Sequence, residues 1–245
     1  MSDPTRCDLY PFLAPGARAS GSPRVDSRPS TAGPLDTEPL AGGLLESIRQ
    51  KTQHGRDVSR AFFADNEREL VAAACALAAV FCRGGRMLAM GNGGSSCDAA
   101  HFAVEFLHPI TTGRPSLPVL NLAMDTAMLS AVGNDVGMRH VFRRQVEVHA
   151  RAGDGLIGFS TSGNSENLLA AYEKARQLGL VTFGLAGADG GAMRASGLVD
   201  HLLVVATDSV HRVQEVHLIT YHLLWDLTHT LLADTRGPAA MRGAT

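Results

Sequence analysis

The sequence predicts an α/β fold, a three-layer sandwich in which helices cover both faces of a mostly parallel, five-stranded sheet. Five short apolar segments alternate with segments whose apolar residues recur at helical spacing, which is typical of parallel sheets. Loops rich in glycine and serine follow the first and third apolar segments. The chain has 245 residues, enough for one domain of this kind with extensions at its ends.

Two helices are predicted before the first strand. Residues 44–54 carry apolar side chains at positions 44, 45 and 48, which fits a short helix. Asp65 or Asn66 then has the character of an N-cap, because both side chains accept hydrogen bonds from free N–H groups. Residues 70–82 are apolar nearly all round, so we expect a buried helix there, ended by the Gly84–Gly85 pair.

The remaining elements alternate regularly along the chain. The predicted strands are residues 86–90, 117–123, 155–159, 181–186 and 199–205. The predicted helices are residues 97–107, 126–132, 138–150, 166–178, 192–196 and 211–232. Because the strands are short and separated by helices, we expect a sheet covered on both faces. Ligands of such folds bind beyond the carboxyl ends of the strands.

The composition excludes several classes of function. The net charge is −2 and charges of both signs are interspersed, so no nucleic-acid partner is expected. No run of 18 apolar residues and no apolar signal segment is present, so neither a membrane span nor secretion is expected. The four cysteines lack CxxC spacing, which indicates reduced thiols in a cytoplasmic protein.

Three segments make up the predicted domain organisation. Seven of the eleven prolines lie in the first 39 residues, so residues 1–40 are expected to form a disordered tail. Residues 41–234 form the α/β domain. Residues 235–245, which are rich in glycine and alanine, are expected to be a frayed C-terminal tail.

The loop after the third strand is a candidate phosphate site. It offers hydroxyl and amide groups at Ser160, Thr161, Ser162, Asn164 and Ser165. It also opens a helix, whose free N–H groups and partial positive charge suit an anion. The P-loop pattern GxxxxGK[ST] is absent, and a neutral cradle favours a sugar phosphate over a triphosphate with magnesium. A capped turn without a ligand is the alternative.

The loop after the first strand, GNGGS at 91–95, is a candidate sugar site. Gly93 and Gly94 permit close backbone approach, and Asn92 and Ser95 can hydrogen-bond sugar hydroxyls. The spacing GxGxxG is absent, which argues against a dinucleotide. A tight turn before a helix is the alternative.

His101 and Glu105 lie four residues apart on the next helix and share one face. An imidazole and a carboxylate form a half-site for a divalent metal such as zinc, with a simple ion pair or hydrogen bond as the alternative. On the final helix, His222 could be joined by Gln214 or Glu215. Glu215 is seven residues from His222 and nearly eclipsed with it, so spacing favours Glu215.

Several motifs together resemble the phosphoheptose isomerases, which are sugar-isomerase (SIS) domain proteins. They are GNGGSSCDAAHFAVEF at 91–106, VGND at 132–135, STSGNS at 160–165, DGG at 189–191 and RVQEVHLITYH at 212–222. The resemblance covers residues 42–233 and implies a SIS fold of the flavodoxin-like or Rossmann-like kind. It implies an aldose–ketose isomerase converting D-sedoheptulose 7-phosphate to D-glycero-D-manno-heptose 7-phosphate through an enediolate, for the biosynthesis of nucleotide-activated heptose.

The resemblance also implies roles for individual residues. It implies that one zinc ion per subunit is bound by His101, Glu105, Gln214 and His222, so the family chooses Gln214 over Glu215. It implies that Glu105 is the general base and His222 the general acid. The matching substrate contacts are Asn92, Gly93, Gly94, Asn134, Asp135, Ser160, Thr161, Ser162, Ser165 and Gln214, to which we add Ser95, Glu105 and Asn164.

The resemblance further implies a homotetramer with active sites at subunit interfaces. In such a site, His101 and Glu105 of one chain could meet Gln214 and His222 of another.

The chain departs from the family pattern after Glu105. Members resembling the bacterial enzyme often carry Gly-Arg-Tyr there, whereas this chain reads FLHPI at 106–110 and has its next arginine at Arg114. An isomerase of another sugar phosphate is therefore a second hypothesis. A third is a non-catalytic SIS-domain binding protein, of the type that associates with a replication initiator. The presence of Glu105 and His222 favours an enzyme over this third hypothesis.

Overall fold

A computed structural model describes residues 38–236, and side chains within residues 41–233. The chain divides into two units, Met1–Ser47 and Ile48–Thr245. Of the first unit, only residues 38–47 are described, and they are helical. The tail predicted at 1–40 lies outside the described residues except for 38–40. The tail predicted at 235–245 is described only to Arg236, where it is still helical.

The elements follow the predicted alternation of strands and helices. The strands are β1 (Met87–Gly91), β2 (Val119–Asn121), β3 (Gly155–Ser160), β4 (Val181–Gly187) and β5 (His201–Val205). The helices are α1 (Glu38–Cys82), α2 (Gly94–Leu107), α3 (Thr126–Asp135), α4 (Val141–His149), α5 (Glu166–Gln177), α6 (Gly191–Ala195) and α7 (Val210–Arg236). A 3₁₀ turn, Met138–His140, precedes α4. Among the described helices, none is long and apolar enough to cross a membrane.

The five strands form one sheet in the order β2-β1-β3-β4-β5, and every pair is parallel. The predicted α/β class and strand number are thus confirmed. The strand order reverses direction between β1 and β3, where Gly91 pairs with Phe159 near the carboxyl ends of both strands. In open parallel sheets a crevice opens outside such a point, because the two following connections leave toward opposite faces.

The two faces of the sheet carry separate hydrophobic clusters, because successive strand residues point to opposite sides. Met87, Ala89 and Phe159 belong to the cluster that α1, α2 and α7 cover. Leu88 and Met90 belong to the other cluster, which α4 and α5 cover. This placement puts α2 and α7 side by side on one face.

The prediction of two separate helices before β1 was wrong, because α1 is continuous over 45 residues. No proline interrupts residues 40–82, and Asn66 lies inside the helix with its amide donating to Phe62 O at 2.8 Å. Residues 70–82 are buried on one face only, with Val71 57% exposed. The predicted end at Gly84–Gly85 is confirmed: Gly84 has φ 77° and Gly85 N–H donates to Val80 O at 3.0 Å.

Candidate metal and substrate site

Helices α2 and α7 lie parallel and in register, so that residues 120 positions apart in the sequence meet at three levels. The pairs are Gly94 with Gln214, His101 with Tyr221, and Glu105 with Trp225. At the first level, a Cβ on Gly94 would overlap the Gln214 amide, so glycine permits this contact. Helix α2 starts at Gly94 and not at residue 97 as predicted, which places this contact in its first turn.

Near the second and third of these helix contacts, three side chains come together: His101, Glu105 and His222. Their nearest ligand atoms all lie within 4.8 Å of one another, and His101 Nε2 is 3.0 Å from Glu105 Oε1. The rings of His101 and His222 meet edge to face at 5.0 Å. A single chain therefore brings these three residues together without a partner. Two imidazoles and a carboxylate in this arrangement fit a divalent metal with at least one further position left for another ligand.

Gln214 and Glu215 lie apart from this triad within one chain. Gln214 is eight residues before His222, about 12 Å along the helix axis, and it contacts Gly94 instead. Glu215, which spacing favoured, forms an ion pair with Arg212 at 2.7 Å and its side chain is 51% exposed. The structure thus groups Gln214 with the glycine loop, and Glu215 with a surface ion pair.

Tyr221 and Asp98 form a buried layer beneath His101, and the sequence reasoning missed both. Tyr221 Oη lies 2.8 Å from His101 Nδ1. Burial raises the pKa of Tyr221, and the charges of Asp98 and Glu105 raise it further, so the phenol stays protonated. A histidine that binds metal through Nε2 holds its proton on Nδ1, which here would donate to the Tyr221 oxygen. Asp98 lies three residues before His101, a spacing that could have indicated it.

The carboxyl group of Asp98 is buried, which is unusual for an acidic side chain. It is 8% exposed, and its Oδ2 has no hydrogen-bond partner among the described residues. Burial raises the pKa of Asp98 to about 6, partly offset by His101. Positive charge near His101 would therefore stabilise the ionised form of the Asp98 carboxyl group.

The β1–α2 loop is tied to the start of α5 by a reciprocal amide pair. Asn92 Nδ2 donates to Asn167 Oδ1 at 2.9 Å, and Asn167 Nδ2 donates to Asn92 Oδ1 at 2.8 Å. Gly93 turns the chain with φ 52°, after which Ser95 lies buried in the first turn of α2. The pair fixes the two predicted ligand loops to one another. The sequence reasoning missed Asn167, whose only signal was an amide in the first turn after a serine-rich loop.

The β3–α5 loop folds around its own hydroxyl groups. Ser160 Oγ lies 3.1 Å from Ser165 Oγ and accepts from Gly163 N–H at 3.1 Å, while Ser162 Oγ accepts from Asn164 N–H at 3.2 Å. Thr161 lies between them in the turn. The loop leaves the carboxyl end of β3 and opens α5, as predicted.

Asn164 connects this loop to the DGG segment at 189–191. Its Oδ1 accepts from Ala192 N–H at 2.9 Å, and its amide donates to Ser162 O at 3.0 Å. A Cβ at Gly163 would overlap Gly190 O, so two glycines permit the close packing of the loops. These contacts engage the Asn164 side chain within the loop, and its prediction as a substrate contact stays a prediction.

Asn134 and Asp135 lie in the exposed last turn of α3, where the Asn134 amide donates to Asp135 Oδ1 at 2.8 Å. In the described part of the chain, no hydrogen bond joins either residue to the two loops or to the triad. Their predicted contact with substrate stays a prediction.

The chain is similar to known proteins in both sequence and fold. A family model described as SIS domain matches residues 52–187. The phosphoheptose isomerase of Desulfovibrio desulfuricans is 47% identical over 181 residues, which cover 72% of this chain and 85% of that protein.

Two solved structures have the same fold over nearly their whole length. The phosphoheptose isomerase of Neisseria gonorrhoeae matches with a TM-score of 0.71 and 35% identity, covering 76% of this chain and 99% of that chain. The enzyme of Francisella tularensis matches with a TM-score of 0.71 and 31% identity, covering 76% and 98%. By its sequence and its fold, the chain belongs to the SIS-domain family of phosphoheptose isomerases.

Proposed function

We propose that this isomerase interconverts D-sedoheptulose 7-phosphate and D-glycero-D-manno-heptose 7-phosphate at the triad of His101, Glu105 and His222. The observation that carries the proposal is the convergence of these three side chains within 4.8 Å. They lie on α2 and α7, and α2 begins directly after one of the two ligand loops. The product would serve the synthesis of nucleotide-activated heptose.

The reaction requires a proton to move between two neighbouring carbons. A base removes the proton from C1 of the ketose to form an enediolate, whose O2 then gains a proton. O1 then loses its proton as the C1 carbonyl forms, and C2 receives a proton. Positioned acid–base groups typically contribute about 10²–10⁴-fold to such rates.

Glu105 and His222 are the residues we assign to these proton transfers. The Glu105 side chain is 26% exposed and its Oε1 lies 3.0 Å from His101 Nε2, so the carboxylate is both held in place and reachable by substrate. His222 is exposed on the neighbouring helix and can exchange protons with the substrate oxygens. A carboxylate cannot bind a metal with all its lone pairs and serve as a free base at once, so Glu105 would change its contacts during turnover.

We propose zinc as the metal that this site takes, one ion in each subunit. Two histidines and one glutamate form a known set for catalytic zinc, which keeps a further position for water or substrate. When bound there, zinc would polarise the substrate carbonyl and stabilise negative charge on its oxygen. Gln214 would complete the four-residue set only if a second chain supplied it, given its distance from His222 along α7.

The phosphate of the substrate is assigned to the β3–α5 loop. Ser160, Thr161, Ser162 and Ser165 offer hydroxyl groups at the N-terminus of α5, a 12-residue helix. The β1–α2 loop, with Asn92, Gly93, Gly94 and Ser95, then faces the sugar hydroxyls. Asn134 and Asp135 would join the site from α3.

A homotetramer with active sites at subunit interfaces is the assembly we propose. Exposed apolar side chains next to the triad support a second chain covering this surface: Val104, Leu107 and Leu223 are 50%, 48% and 39% exposed. A cytoplasmic location is supported by Cys75 and Cys97, which are exposed and form no disulfide. The non-catalytic alternative has no support. The experiment below distinguishes the proposed substrate from other sugar phosphates.

The test is turnover of purified protein and two variants. Wild type should convert D-sedoheptulose 7-phosphate to the aldose faster than other ketose phosphates of five to seven carbons. Glu105→Gln and His222→Gln should each lower kcat by about 10²–10⁴-fold, because each removes one acid–base group. Full activity in either variant would exclude its assigned role.

Matched controls keep the result interpretable. Glu173→Gln and His149→Gln change the same residue types at exposed positions of α5 and α4, and both should keep wild-type kcat. Wild-type protein that turns over a different ketose phosphate best would overturn the assigned substrate but not the triad.

A further inference from the structure

The connection between α2 and β2, residues 108–118, is fastened to α7 by two side chains. Arg114 reaches α7 from the connection, and His229 reaches the connection from α7. His229 is 2% exposed, and its Nε2 lies 3.1 Å from Pro115 O. Its ring stacks on Phe106 at 5.7 Å. The connection is thus held at two separate points.

Arg114 makes three contacts with two consecutive residues of α7. Its Nη2 lies 2.5 Å from Asp226 Oδ1, and its Nη1 donates to Asp226 O at 3.1 Å. The guanidinium carbon lies 4.7 Å from the ring centroid of Trp225. A planar guanidinium can form the fork of hydrogen bonds and stack on an indole at once, which a lysine cannot do.

Trp225 links Arg114 to the candidate active site. Its indole Nε1–H donates to Glu105 O at 2.8 Å. Glu105 holds its carboxylate 3.0 Å from His101. Trp225 is also three residues after His222, so both lie on one side of α7. A displaced indole would lose or strain its hydrogen bond to Glu105 O, which ties the Glu105 backbone to the helix that carries His222.

We infer that Arg114 is a positioning residue, which presses the Trp225 indole against α2 and fixes Glu105 relative to His222. The inference rests on the proposed function, because it assumes that this spacing matters for turnover. Arg114 contacts none of the three triad residues in the described structure. Its effect passes through Trp225 and Asp226.

A plain surface ion pair is the alternative explanation of the same contacts. The Asp226 side chain is 54% exposed, and exposed pairs usually contribute little. The Arg114 side chain is only 23% exposed, however, and its stacking on a half-buried indole bonded to Glu105 gives it a route to the site. The two explanations differ in whether catalysis and metal affinity respond to Arg114.

The experiment compares wild type with Arg114→Ala and Arg114→Lys. His229 still holds the connection in both variants, so both should fold. Arg114→Ala should lower kcat by about 10-fold or more with KM within about threefold, because small displacements of catalytic groups cost rate. Arg114→Lys keeps the charge but not the fork, and should recover only part of the loss.

Trp225 supplies a direct spectroscopic readout, because it is the one tryptophan in the sequence. Arg114→Ala should shift its emission to longer wavelength and increase quenching by acrylamide, since the indole loses its cover. Zn²⁺ affinity, measured against a chromophoric chelator, should fall by about 10-fold, as is typical when groups behind a metal ligand are removed.

Two controls separate positioning from general stability. Arg176→Ala removes another arginine–carboxylate pair, to Asp200 at 2.7 Å with side chains 48% and 38% exposed, and should leave kcat, emission and Zn²⁺ affinity unchanged. Asp226→Asn should reproduce Arg114→Ala in part. The double variant should be no worse than Arg114→Ala alone, because both changes break one interaction.

Each outcome decides the inference. If kcat and Zn²⁺ affinity of Arg114→Ala match those of Arg176→Ala, Arg114 is not a positioning residue. If wild type shows no turnover of any ketose phosphate, the proposed function fails. A loss of Zn²⁺ affinity with exposure of Trp225 would even then support the positioning role.

Discussion

His217 is a buried histidine on α7 that the proposed reaction does not use. It is fully buried, its Nε2 lies 3.3 Å from Ala186 O, and its Nδ1 has no partner among the described residues. Burial lowers its pKa from 6.5 to about 4. Asp98 is shifted in the opposite sense, because burial raises its pKa to about 6. In both residues, burial makes the charged form less favourable than it is in an exposed side chain.

His217 should make the folded protein less stable in acid. The unfolded chain binds a proton near pH 6.5 and the folded chain only near pH 4. The free energy of unfolding should therefore fall as pH falls through this window, by up to about 3 kcal/mol. Urea unfolding of wild type and His217→Gln at pH 7 and pH 4 measures it. An equal pH dependence in both proteins would contradict the assignment.

Gly163, in the β3–α5 loop, and Gly179, in the connection between α5 and β4, are positions that favour glycine for different reasons. Gly163 has φ 66° and lies against Gly190 O, so an added Cβ would meet both an unfavourable conformation and a backbone atom. Gly179 has φ 76°, but no atom lies within 4 Å of an added Cβ. The pair thus separates conformational strain from steric overlap.

Gly163→Ala should destabilise the protein more than Gly179→Ala does. The left-handed conformation alone costs an alanine about 1–2 kcal/mol, and at Gly163 the overlap with Gly190 adds to that cost. We expect losses in the free energy of unfolding of about 1 kcal/mol for Gly179→Ala and at least about 3 kcal/mol for Gly163→Ala. Gly163→Ala should also raise KM, since it displaces the β3–α5 loop, to which we assign the substrate phosphate. Equal losses of unfolding free energy in the two variants would show that the β3–α5 loop is not closely packed against the DGG segment at 189–191.

The order of the strands brings the β1–α2 loop and the β3–α5 loop to one edge of the sheet, where the helix that carries His101 and Glu105 begins. Because β1 and β3 are neighbours, the loops that follow them open side by side, and Asn92 meets Asn167 between them. Helices α2 and α7 then continue on one face from this edge. A metal that bridges α2 and α7 would therefore link elements from distant parts of the chain.

Binding of Zn²⁺ should stabilise the entire domain. A ligand at a concentration 100 times its dissociation constant adds about 2.7 kcal/mol to the free energy of unfolding. For a domain of this size, that corresponds to a rise in Tm of roughly 5–10 °C. Thermal unfolding with Zn²⁺ and after chelation measures the difference. His101→Gln should abolish the rise and His149→Gln should keep it; a rise that persists in His101→Gln would place the metal elsewhere.

Local features of the fold could be predicted because short stretches of sequence encode them. The five strands, the Gly84 helix end and the i, i+4 pair of His101 and Glu105 all follow from periodicity and turn chemistry within a few residues. The division of α1 into two helices was wrong because Asn66 fits a cap as well as a helix interior. Only packing of its apolar face against the sheet decides between the two.

The sequence by itself determined the α/β class, the positions of the two loops, the pairing of His101 with Glu105 on one helix face, and the family. The tertiary structure decided which candidates meet: it placed His222 with His101 and Glu105, Gln214 with Gly94, and Arg114 on Trp225. The physical reason is distance along the chain. Contacts between residues 120 positions apart depend on the order of strands and the register of packed helices, which no local pattern contains.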